Sequence, residues 1–221
     1  NAPHLVHHLS FIVPRYQWWE GPFFGIGLKV YDALAGKLNL APSHLLSREE
    51  TMARIPNIEA EHLLGGVEYF DGQFDDARLA ITLARTAVHH GACVLNHARV
   101  TGLVKTDALV SGVHFTDVET GCDYQVKARV VVNATGIFSD EIRLMDDAKA
   151  QRAVQPSQGV HLVFDRSFLQ GDSAVMVPHT DDGRVLFVIP WHGKVLVGTT
   201  DTPMDHADLE PRALKEAIGF I

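Results

Sequence analysis

Apolar residues recur at helical spacing in one clear stretch of the chain and at strand spacing through most of the rest. After Asp75-Asp76, the positions Leu79, Leu83 and Ala87, flanked by Ala80, Ala84 and Val88, repeat with the period of one helix face. The two acids cap that helix, His89 and His90 fall in its last turn, and Gly91 marks its end. Val100 to Lys105, Leu109 to Thr116 and Tyr124 to Ala128 then predict three strands, joined by turns at Thr106-Asp107 and Glu119-Thr120-Gly121. Cys93-Val94-Leu95 reads as a shorter strand before them. Arg129-Val130-Val131-Val132-Asn133 is different in kind: its unbroken β-branched run predicts a strand buried on both faces, as in a parallel sheet.

The flanks are mixed. Phe11 to Pro14 predicts a short strand and Gly27 to Leu38 a helix. Ser47, with Glu50 three residues on, predicts a capped helix start that Pro56 terminates. After a helix at about 138–146, Gly159 to Phe164, Ala174 to Pro178, Val185 to Pro190 and Val195 to Thr199 predict strands. Asp181-Asp182-Gly183 and His192-Gly193 turn the last three into hairpins. Arg212 to Ile221 reads as a helix with Pro211 in its first turn. The expected fold is therefore mixed α/β, with two domains interleaved in sequence. Residues 1–67 supply a connecting segment and part of a substrate domain, 68–149 part of a nucleotide-binding domain with a β-meander, and 150–221 the rest of an antiparallel-sheet substrate domain. A start at Asn1-Ala2-Pro3-His4 and an end inside a helix both suggest an interior piece of a longer protein.

Composition narrows the function. Of 221 residues, 46% are hydrophobic and 21% charged, ordinary for a globular chain and against disorder. A formal net charge of −8 argues against a non-specific nucleic-acid binder, while a local basic pocket for an anionic substrate stays compatible with it. Cys93 and Cys122, without C-x-x-C spacing, read as two buried, reduced thiols of a cytoplasmic protein. No run reaches the roughly 18 apolar residues that span a bilayer. His4 and His8 have helical i, i+4 spacing but no third ligand, so no metal site is expected. No Gly-x-Ser-x-Gly nucleophile motif occurs.

The element with most chemical content is Val130-Val131-Val132-Asn133-Ala134-Thr135-Gly136. Ligands of parallel sheets bind beyond the carboxyl ends of the strands, and small residues there let the backbone approach them. Alone, the element reads equally well as a strand that needs small residues to turn into a helix. Its neighbours add a resemblance. Phe70-Asp71-Gly72-Gln73-Phe74-Asp75-Asp76-Ala77-Arg78-Leu79, Asn96 to Thr101, Val131 to Gly136, Gly159-Val160-His161-Leu162-Val163, Thr180 to Trp191 and Val197-Gly198-Thr199-Thr200-Asp201 resemble, in order, segments of the flavin-dependent glycerol-3-phosphate dehydrogenases. The Asp-Asp-Ala-Arg and Gly-Thr-Thr-Asp elements are the more specific of these.

That resemblance implies part of an FAD-binding Rossmann-like domain within the amino-acid-oxidase-like flavoenzymes. The whole enzyme would oxidise sn-glycerol 3-phosphate to dihydroxyacetone phosphate and pass electrons through FAD to quinone. It would be cytoplasmic, on the inner face of the cell membrane if peripherally attached, and both membrane contact and a homodimer stay open. Ala134, Thr135 and Gly136 would lie against FAD, with Val100 near its adenosine end. The family's N-terminal Gly-x-Gly-x-x-Gly turn is not among these residues, so this chain alone is expected to be inactive and without bound FAD.

His161 is the candidate catalytic residue. Alternation sets Val160 and Leu162 on one face of its strand and His161 on the other. Pattern alone favours a strand histidine without a role; the family places an active-site histidine on this strand, where it would take the hydroxyl proton as hydride leaves. Arg15, Arg99, Arg152, Arg166 and Arg184 read as solvated or structural cations before phosphate ligands. Trp18, Trp19, Phe23 and Phe24 read as core packing rather than as a membrane or partner patch. The alternatives are a glycerol-3-phosphate oxidase or another flavin oxidoreductase of this superfamily, and a catalytically inert structural module.

Overall fold

The computed structural model describes residues 2–36, 40–178, 180 and 183–221. In chain order it forms β1 (His7–Arg15), α1 (Glu20–Ala35), β2 (His44–Leu46), α2 (Arg48–Arg54), β3 (Gly65–Gln73) and α3 (Asp76–His89). β4 (Ala98–Thr106), β5 (Leu109–Asp117), β6 (Asp123–Lys127) and α4 (Ser139–Asp146) follow. The last third holds β7 (Ser157–Gln158), β8 (His161–Asp165), β9 (Ala174–Val177), β10 (Leu186–Trp191), β11 (Lys194–Gly198), β12 (Thr202–Pro203) and α5 (Lys215–Phe220). The fold is mixed α/β, as the pattern predicts. The chain divides into two compact units, one of residues 1–83, 159–202 and 212–221, the other of 84–158 and 203–211.

The larger unit is built on a seven-stranded sheet in the order β2-β3-β1-β9-β10-β11-β8. All neighbours are antiparallel except β1 and β9, which run parallel with Ile12 opposite Val175. Ile12, Leu46, Ile55, Leu169, Val175, Val195 and Val197 form its buried core, with Phe164, Val188 and Ile221 packed against them. The helix predicted at Ser47 is α2, and its capping box is complete. The Glu50 N–H donates to Ser47 Oγ at 3.1 Å, and the Ser47 N–H donates to Glu50 Oε2 at 2.7 Å. Buried Glu68 on β3 ties this helix to the sheet by accepting from Arg54 and from Ser10 Oγ.

The smaller unit carries the predicted meander, β4-β5-β6, as a three-stranded antiparallel sheet. Asp107 and Ala108, both with positive φ, make the tight turn between β4 and β5. At the end of α3, the Ala92 N–H donates to the Ala87 carbonyl and the Gly91 N–H to that of Val88, the paired bonds that close a helix at a glycine.

Several expectations are corrected. Arg129 to Asn133 forms no strand and pairs with none among the described residues, and Val130 and Val132 are 74% and 80% exposed. A run this apolar is buried only when partner strands cover it, and none of the described segments does so. Cys93-Val94-Leu95 is likewise no strand. Both cysteines are free but exposed, because they sit in the loop after α3 and at the β5–β6 turn rather than in a core. The C-terminal helix starts at Lys215, not Arg212. The helix predicted from Gly27 instead starts at Glu20, and its predicted end at Leu38 lies outside the described residues, as do Asp181 and Asp182 of one predicted turn. His8 lies on β1, so its helical spacing from His4 is not realised. Trp18, Trp19 and Phe23 are exposed rather than packed, and only Phe24 is half-buried.

Candidate functional site

His161 begins β8, the edge strand of the seven-stranded sheet, and pairs with Gly198 of β11. The alternation is realised: Val160 is buried, Leu162 and Phe164 turn toward the core, and His161 and Val163 turn outward. The imidazole lies over Gly198. A methyl group at that glycine would sit 2.7 Å from the ring's Cδ2 and 2.7 Å from the Val160 carbonyl, so the close approach requires glycine. No side chain among the described residues hydrogen-bonds or ion-pairs with the imidazole. Its nitrogens are left for a ligand or solvent.

Beneath His161 lies a threonine that local pattern does not single out. The Val160 N–H donates to Thr200 Oγ1 at 3.0 Å, and Thr200 is buried. Thr199 Oγ1 donates to the Thr200 carbonyl at 2.9 Å, and Gly159 lies close against both residues. The Gly-Thr-Thr-Asp element therefore locks the start of β8 from the end of the neighbouring strand β11. Its specificity is visible in the sequence, its partner is not.

The second group of candidates belongs to the smaller unit. Asn133 to Gly136 form a tight turn into α4: Asn133 Nδ2 donates to the Ser139 carbonyl at 2.9 Å, and Thr135 Oγ1 donates to Asn133 Oδ1 at 2.8 Å. Ala134, Thr135 and Gly136 are exposed. Gly136 has φ of +56°, and nothing lies within 4 Å of where its Cβ would be. A bare, left-handed backbone facing open space leaves room for a flat ligand to lie against it, so these three residues fit a flavin contact. Val100 is half-buried on β4. Beside the turn, Leu103, Val110, Val131, Asn133 and Ile142 line a cavity of about 410 Å³.

The arginines divide by what they touch. Arg166 donates to the carbonyls of Leu169 and Gly171 and pairs with Asp172 at 3.0 Å, closing its own loop. Arg152 donates to the Asp205 carbonyl at 2.8 Å, and Arg184 lies over the Phe220 ring at 4.6 Å. Among the described residues no group of three or more His, Cys, Asp or Glu side chains is arranged to hold a metal ion.

Comparison with known proteins places this arrangement. The model of a family described as FAD dependent oxidoreductase (DAO) matches residues 20–220. A mitochondrial glycerol-3-phosphate dehydrogenase of Schizosaccharomyces pombe is 42% identical over 231 residues, covering all of this chain and 36% of that protein. The human mitochondrial glycerol-3-phosphate dehydrogenase is 40% identical over 226 residues, again over the whole chain and 31% of its own length. Among solved structures, the glycerol-3-phosphate dehydrogenase of Bacillus halodurans complexed with FAD superposes with a TM-score of 0.81 at 31% identity, covering 99% of this chain and 39% of that one. An L-proline dehydrogenase of P. horikoshii, at 18% identity and a TM-score of 0.71, shares the fold. The chain spans about a third of the length of the curated relatives it matches. With a family model covering nearly all of it, the chain belongs to the FAD-dependent oxidoreductases.

Proposed function

We propose that the complete protein oxidises sn-glycerol 3-phosphate to dihydroxyacetone phosphate and delivers the electrons to quinone. The observation that carries this is the likeness to glycerol-3-phosphate dehydrogenases, which runs over the whole chain at about 40% identity. FAD, when bound, supplies the hydride acceptor. In this reading Ala134, Thr135 and Gly136 lie against the cofactor with their bare backbone, and Val100 lies near its adenosine end. His161 accepts the proton of the substrate hydroxyl as the carbon-bound hydrogen leaves with its electron pair, which yields the ketone. Gly198 gives the imidazole room, and the bond from Val160 to Thr200 fixes the strand that carries it.

Quinone as acceptor, attachment to the inner face of the cell membrane and inactivity of the isolated chain belong to the same proposal. Among the described residues no helix is long and apolar enough to cross a membrane; the attachment proposed is peripheral. The test is turnover of glycerol 3-phosphate by the full-length protein. Anaerobic reduction of a quinone analogue with dihydroxyacetone phosphate as product is expected. Peroxide released in air with no quinone reduction would make it an oxidase, and no oxidation of this substrate by either route would end the proposal.

A further inference from the structure

His161 has a glycine for its neighbour across the sheet, and the residue beyond that glycine is aromatic. On β8, β11, β10 and β9 the pairs His161–Gly198, Gly198–Phe187 and Phe187–Met176 form one row, and paired residues project from the same face. This face is opposite the buried core, which takes Val188, Val195 and Val197 from the alternate positions. With neighbouring strands about 4.8 Å apart, the backbones of His161 and Phe187 stand about 10 Å from each other, and Gly198 between them carries no side chain.

The imidazole fills part of that interval, since its Cδ2 lies over Gly198. Phe187 leaves the rest open. Its ring contact is edge to face with Phe11 at 6.0 Å, on the side remote from β11, and no ring contact joins it to His161. The result is a slot with glycine backbone for a floor, the imidazole as one wall and the phenyl ring as the other. Toward the β10–β11 turn the same face continues with Val163, Leu196 and Ile189, which close the slot with aliphatic side chains. The first cation in that direction, Lys194, pairs with Asp165 at 3.2 Å.

We propose that Phe187 is a specificity-determining residue: its ring limits the size of the substrate arm that carries no phosphate. The proposal rests on the proton transfer to His161 proposed above. With the carbinol hydroxyl at the imidazole, one arm of the substrate extends over Gly198 toward Phe187. The slot offers no charged partner for a phosphate there, and burying that charge against aliphatic and aromatic side chains is costly. The hydroxymethyl arm is therefore the one that enters, and the phosphate points away. An apolar wall of this kind discriminates by size, at about tenfold or more for each methylene group that does not fit. Phe187 is half-buried and stands outside the buried core, so its bulk is available for contact with a ligand.

The test compares two substrates in the full-length protein: glycerol 3-phosphate, and pentane-1,2-diol 1-phosphate, in which a propyl group replaces the hydroxymethyl arm. The wild type is expected to favour glycerol 3-phosphate. Phe187→Ala should shift the ratio of kcat/KM toward the longer substrate by about tenfold or more, and Phe187→Leu, which keeps more of the bulk, by less in the same direction. Affinities of the two ketone products, dihydroxyacetone phosphate and 2-oxopentyl phosphate, measured by calorimetry, should shift in the same sense. An unchanged ratio in Phe187→Ala, with unchanged relative affinities for the ketones, overturns the proposal. If the alanine variant does not fold, an unchanged ratio in Phe187→Leu overturns it. A wild type that oxidises neither substrate counts against the functional reading, and the two ketone affinities then decide the role of Phe187 by themselves.

Discussion

A histidine on the outer face of an edge strand keeps both ring nitrogens available, and His161 owes that position to glycine at 198 and threonine at 200. If the imidazole takes the hydroxyl proton, His161→Ala in the full-length protein should lower kcat for glycerol 3-phosphate by about 100-fold or more. KM should move much less, because a proton acceptor acts in the transition state rather than in substrate binding. Turnover at the wild-type rate would remove His161 from the chemistry. Gly198→Ala should reproduce part of the loss, since its methyl group would collide with the ring and with the Val160 carbonyl. Alternation alone shows which way His161 points, because strand periodicity is local. The contributions of Gly198 and Thr200 are not legible in that way: Thr200 meets Val160 across 40 residues, and only the strand pairing of β8 with β11 brings them together.

Single elements here are held at their ends by carboxylates. Glu50 is held below the ordinary carboxylate range by the Ser47 N–H and then the Ser47 hydroxyl. Asp140 is lowered by Arg143 first and by the Val154 N–H next, and its bonds to Ala153 and Val154 fasten the following loop to α4. Asp165 is lowered by the Ser167 N–H and by Lys194 where β8 ends. For a carboxylate with a depressed folded-state pKa, the stabilisation is complete above its unfolded pKa of about 4 and is lost as pH falls through the lower folded value. Thermal midpoints should therefore hold near neutrality and drop below about pH 4, and Asp140→Asn should flatten that drop. Ser47→Ala should cost about 1 kcal/mol at neutral pH. Elements of this kind were readable in advance, because a capping box, a glycine-stopped helix and a meander with tight turns are written within a few neighbouring residues. Burial was not. The valine run after Arg129 has the composition of an interior strand, and the aromatic residues around Trp18 have that of a core. Whether either is covered depends on partners that local pattern does not contain.

For the whole molecule, the accessible surface is 15130 Å². Two separate compact bodies dividing this mass would expose about 12,000 Å². Exposed apolar side chains contribute to the excess: α3 buries none of its residues, and Ile81, Leu83 and Val88 join Val130 and Val132 at the surface. The chain spans about a third of the length of its curated relatives, and these apolar side chains are bare at its surface. The isolated 221-residue chain, which contains no Gly-x-Gly-x-x-Gly turn to grip a pyrophosphate, should purify colourless, and the full-length protein yellow. Stoichiometric flavin absorbance from the isolated chain would show that its own contacts suffice. The open valine run has a practical corollary for that preparation. Short, β-branched and uncharged, and paired with no strand among the described residues, it is a template on which identical molecules can add edge to edge. Expressed by itself, the section should be prone to insoluble deposits, and a Val132→Lys change should improve its yield in solution by breaking the template.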